Sequence, residues 1–169
     1  MSKNDAWRSK PKIARLIILS YLTCLLLGNP AVAASNLPKF EVVGRYKTAL
    51  SIVVPQNATS EQLRALILQF RAARKNNSLS TMIPPTTPSG QLGDYAIVWV
   101  LVLTDRDRAS TDKLQRFIDS SAESRADKEF EKKYVKRIKA EYFYSGSEEY
   151  GNLGYDNGVA PSPNYEKLF

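Results

Sequence analysis

Two acids separated by one residue, Asp105 and Asp107, are the side chains in this sequence best placed for catalysis. They follow directly on an apolar run that reads as a strand, and α/β proteins collect ligands beyond the carboxyl ends of their parallel strands. Two neighbouring carboxylates can hold a divalent cation or share a proton. Asp105 and Asp107 are therefore the residues a metal-dependent hydrolase would use here. The spacing is also what a polar loop cap needs, and Arg106 and Arg108 can neutralise both acids.

Other chemistries are excluded by residue type. The chain has no histidine, and its single cysteine, Cys24, lies in an apolar segment near the N-terminus. Ser-His-Asp and Cys-His catalysis have no base. Zinc sites built on imidazole or thiolate have no ligands. There is no glycine-rich phosphate loop and no Gly-x-Ser-x-Gly elbow.

Two further groups suit binding rather than catalysis. Lys132, Lys133, Lys136, Arg137 and Lys139 form a basic run. Placed on a strand, Lys133, Arg137 and Lys139 share one face, and such a row binds anionic polymers or lipid head groups. An exposed strand uses the same residues to resist edge-to-edge pairing. The C-terminal part is rich in tyrosine, with Tyr142 and Tyr144 beside the basic run and Tyr150, Tyr155 and Tyr165 further on. Tyrosine is enriched at recognition surfaces and equally suits a half-buried sheet. The candidate binding set is therefore Lys133, Arg137, Lys139, Tyr142 and Tyr144.

The elements that must position these residues follow from periodicity. Phe40 to Val54 alternates, with Leu50, Ile52 and Val54 on one face, and reads as one strand bent near Gly44 and ended by Pro55. Thr59 with Gln62 predicts a capping box, and Leu63, Leu66, Ile67 and Phe70 give the apolar stripe of a helix ending at Asn76-Asn77. Prolines and glycines make residues 80–93 a loop. Tyr95 to Leu103 is almost wholly apolar and β-branched, as in a strand buried on both faces. A second helix begins near Ser110 or Thr111, carries Leu114, Phe117 and Ile118, and continues through the charged stretch Glu123 to Lys133. Tyr134 to Tyr144 and Glu148 to Tyr155 then form a hairpin about Ser145-Gly146-Ser147.

The expected fold is a small α/β (α+β) two-layer sandwich, a mixed four-stranded sheet with two helices in the order β-α-β-α-β-β. The strands lie in the order 1-2-3-4 with both helices on one face. Val98, Val100 and Val102 then face away from the helices and need cover from the tail, the proline loop or a second copy in a homodimer.

Residues 1–33 read separately. Lys3, Arg8, Lys10, Lys12 and Arg15 precede the apolar run Leu16 to Leu27, and Ala31-Val32-Ala33 offers the small residues of a cleavage site. That is the order of a secretory signal peptide, and the run is short for a bilayer span. The organisation expected is a signal peptide over 1–33 and a single mature domain over 34–169, with an irregular tail over 156–169. Removing the five basic residues and one acid of the leader reduces the formal charge from +7 to +3. The basic pI is therefore poor support for nucleic-acid binding, and no nucleic-acid partner is expected. The mature chain has no cysteine and must be held by its core alone.

The function expected is a non-catalytic binding module of the bacterial envelope, periplasmic or extracellular. It requires no cofactor, and it meets the membrane only through its signal peptide. Its partner is an envelope protein or an anionic envelope polymer. The alternative is the metal-dependent hydrolase on Asp105 and Asp107.

Overall fold

The fold comes from a computed structural model, which describes residues 37–87, 93–120, 124–156, 162 and 164–169. The leader with Ala31-Val32-Ala33, part of the proline loop and most of 157–163 lie outside the described residues.

The strands are β1 (Glu41–Tyr46), β2 (Ala49–Val53), β3 (Ile97–Leu103), β4 (Ala140–Ser145), β5 (Glu148–Leu153) and β6 (Glu166–Lys167). The helices are α1 (Ser60–Lys75), α2 (Thr111–Asp119) and α3 (Arg125–Val135). The strands form one mixed sheet in chain order, β1 to β6. Among the described residues β2 and β3 run parallel, joined through α1, and every other neighbouring pair is antiparallel. The class is α+β, as expected from the sequence.

The sheet has six strands rather than four. One addition comes from Phe40 to Val54, which folds as a hairpin, with Tyr46 paired to Ala49 across Lys47-Thr48. Lys47 takes a left-handed φ of 52° there. No glycine, asparagine or proline marks this turn, so the alternation reads straight through it. Gly44 does mark the bend: the register shifts between Val42 and Gly44. A Cβ at Gly44 would lie 2.3 Å from the Ala109 carbonyl oxygen, so the approach of this strand to the start of α2 requires glycine. The other addition is β6, where the tail pairs with β5 at Asn152 and Leu153.

α1 begins as its sequence predicts. The Thr59 hydroxyl accepts from the Gln62 amide (3.2 Å), and the Gln62 side chain accepts from the Thr59 amide (3.0 Å). Its stripe of Leu63, Leu66, Ile67 and Phe70 packs on Leu50, Ile52, Val54, Val98, Val100, Val102 and Tyr142. The expectation that the valine face of β3 points away from the helices is therefore corrected: that face is the one α1 covers. The other face of the sheet is covered as well. Leu101 and Leu103 of β3 join Leu114 and Phe117 of α2 and Tyr134 and Val135 of α3 in a second cluster. The arrangement is helix, sheet, helices rather than two layers. The β3–β4 connection joins antiparallel neighbours, so no crossover handedness fixes its face. β3 is apolar on both sides, and burying both is the favourable solution.

The second helical segment is broken into α2 and α3. Ser124 caps α3 by accepting from the Asp127 amide at 3.0 Å. α3 extends to Val135, so Tyr134 is helical and the strand begins at Ala140, later than Tyr134 to Tyr144 implied. Gly146 (φ 62°) closes the β4–β5 hairpin as expected.

Candidate functional site

Asp105 and Asp107 lie beyond the end of β3, in the connection to α2. An Asp105 carboxylate oxygen accepts from the amides of Asp107 (3.0 Å) and Arg108 (3.4 Å). The Asp107 carbonyl accepts from the Ser110 hydroxyl at 2.7 Å. Arg106 pairs with Glu41 on β1 rather than with either neighbouring acid. Asp105 thus performs the local capping that this residue type performs in turns. Both side chains are exposed, and among the described residues no three His, Cys, Asp or Glu side chains gather as metal ligands.

The basic run is brought together, but not on a strand. Lys132 and Lys133 stand in the last turn of α3, Lys136 caps it, and Arg137 and Lys139 lie in the link to β4. All five are exposed. Lys133 pairs with Glu129 at 3.7 Å, one helical turn away. The other four have no ion-pair partner among the described residues. The run stands at a helix C-terminus, where the macrodipole favours cations. The main chain below it is fixed, with the Lys139 amide donating to Val102 at 2.8 Å.

The two tyrosines of the candidate set are separated from this surface. Tyr142 is wholly buried under α1, stacked on Phe70 with ring centroids 6.0 Å apart. Its hydroxyl donates to Glu149 at 3.0 Å. Glu149 also receives Arg74 through two bonds, of 2.8 and 3.0 Å. Burial alone would raise the Glu149 carboxyl, but the hydrogen bonds from Arg74 and Tyr142 outweigh it and hold its pKa below the usual range. Tyr144 is half-buried at the far end of β4, with the Arg74 guanidinium 4.3 Å from its ring centroid.

The opposite face of β4 carries a titratable group that the sequence pattern did not single out. Glu141 is 2 % exposed. Asn152 of β5 donates to one of its oxygens at 2.9 Å and the Trp99 indole to the other at 3.4 Å. Neither donor is charged. Burial raises the Glu141 pKa to about 7, the two hydrogen bonds oppose that rise, and the charge of Asp156 adds to it. The surroundings are aromatic. Trp99 packs near Phe117 and Phe143, and Tyr155 meets Phe117 edge-on at 5.8 Å. Tyr165 of the tail donates to Asn152 at 3.4 Å. The hydroxyls of Tyr150 and Tyr155 are pushed up, first by burial and then by the charge of Glu141. A carboxyl that is neutral at mildly acidic pH can donate as well as accept a proton near neutrality. In the sequence, Glu141 alternates with Ala140 and Tyr142 as a solvent-facing residue would, and nothing local marks it as buried.

No protein-family model, no curated protein and no solved structure matches this chain.

Proposed function

We propose that this protein is a non-catalytic binding module of the bacterial envelope that holds an anionic envelope polymer on the surface formed by Lys132, Lys133, Lys136, Arg137 and Lys139. The observation that carries the reading is the gathering of these five exposed cations at the end of α3, with one weak ion pair among them. A cluster of this kind, compensated by a single weak ion pair among the described residues, attracts polyanions without needing a cleft. The leader over 1–33 supports an exported location, and Asp105 is engaged in its own loop by the amides of Asp107 and Arg108.

The test is binding of a defined polyanion, poly(glycerol phosphate), to wild-type protein and to the Lys133→Glu/Arg137→Glu/Lys139→Glu variant across a salt series. Exposed charges are screened within about 8 Å at physiological ionic strength. Wild-type binding should weaken steadily with salt, and charge reversal should abolish it. Binding that ignores both salt and the three reversals would refute the proposal.

A further inference from the structure

A second surface lies at the other end of β4. There the C-terminal end of α1 and the residues leading into β3 enclose an open groove of about 360 Å³. That volume is within the ~300–1,000 Å³ of small-molecule sites. Tyr95 and Tyr144 line it, with Arg74, Asn77 and Asp94 as its polar groups and Leu79 as an apolar contact.

Its walls are held in place before any ligand arrives. The Tyr95 hydroxyl donates to the Ile83 carbonyl at 2.8 Å. The Asp94 carbonyl accepts from the amides of Thr86 (2.9 Å) and Thr87 (3.0 Å). The Thr86 hydroxyl donates to the Ile97 carbonyl at 2.6 Å, and the Thr87 hydroxyl accepts from the Ile97 amide at 3.2 Å. On the other side, the bidentate pair with Glu149 fixes Arg74, and Arg74 in turn lies over the Tyr144 ring. Such preorganisation lowers the ordering cost of binding.

The chemistry of the lining selects the ligand. Among the described residues its charged groups are one cation and one anion, and the cation already holds Glu149. Phosphate and carboxylate ligands therefore have no advantage here. The Tyr95 ring and the part of the Tyr144 ring that Arg74 leaves uncovered offer apolar surface, and Asn77 and Asp94 offer planar hydrogen-bonding groups. That combination matches a pyranose, which has apolar C–H faces and a rim of hydroxyls. We propose that this groove is a binding site for a neutral saccharide, independent of the polyanion surface at the end of α3.

The experiment is a nuclear magnetic resonance titration of the protein with glucose, galactose, mannose, N-acetylglucosamine and their disaccharides, with inorganic phosphate as the anionic control. At least one sugar should shift the Tyr95, Tyr144 and Asn77 resonances saturably. Asn77→Gly keeps the left-handed backbone of residue 77 (φ 52°) and removes only the amide. Asp94→Ala keeps the carbonyl that pins the wall. Each variant should retain the wild-type melting temperature and bind that sugar about three- to tenfold more weakly, the loss of one hydrogen bond. Tyr144→Ala should abolish the shift. The proposal is overturned if no sugar shifts these residues, if both conservative variants bind as wild type does, or if phosphate binds the groove in place of sugar.

Discussion

Glu141→Gln gives the sharpest test of the packing described above. In the native state burial raises the Glu141 pKa from 4.5 to about 7. An unfolded chain releases that proton near the ordinary glutamate value. Between these two values the native state holds a proton that the unfolded state has lost, so stability falls as pH rises. The stabilisation belonging to this group is complete below pH 4.5 and is lost by about pH 7. At about 1.4 kcal/mol per pH unit, the loss amounts to about 3 kcal/mol. The window is unusually clean because the chain has no histidine, the side chain that normally titrates there. Acids whose pKa values are lowered, such as Glu149 and Asp127, act only below their ordinary range. The measurement is urea unfolding followed by far-ultraviolet circular dichroism at half-unit steps from pH 5 to 8. Wild-type stability should decline with pH and level off above 7. Glu141→Gln, which keeps the shape and the hydrogen bond from Asn152 and gives up only the long one from the Trp99 indole, should remove most of the slope and be the more stable protein at pH 8. A flat wild-type profile, or a slope that survives in the variant, would show that Glu141 is not buried as described.

Two further outcomes follow from the same structure and sequence. Trp99 is only partly buried, between Phe117, Phe143 and Glu141, so Trp99→Ala should cost about 3 kcal/mol, the lower end of the range for large aromatics; a loss below about 1 kcal/mol in urea unfolding would contradict the second core cluster. Mass spectrometry of protein recovered from its native host should find an N-terminus near Ala34 or Ser35, and recovery of intact Met1 from the cytoplasm would refute export.

Elements that depend on local signals were legible in the sequence. The capping box at Thr59 and Gln62, the stripe from Leu63 to Phe70 and the turn at Gly146 each act within a few residues, so their types and spacing suffice. The interior position of β3 followed from its apolar character on both faces. Which helix covers which face was not legible there, because the link from β3 to β4 is free of the handedness rule that constrains parallel crossovers. The hairpin at Lys47 was hidden for a related reason. Pairing puts Tyr46 and Ala49 on one face, where continuous alternation would place them on opposite faces, and the strained Lys47 is held by its bond to the distant Asp119 (2.8 Å) rather than by a turn-forming residue. The basic run was legible as a charge cluster, but its place at the end of a helix was not, because α3 extends past Tyr134, where the alternation begins. Glu141 marks the limit most clearly. Alternation assigns it to the face opposite Tyr142, and whether that face meets water or aromatic side chains depends on α2, α3 and a tail more than ten residues away in sequence. Burial is a property of what surrounds a residue, and for Glu141 those surroundings are assembled only when distant segments pack together.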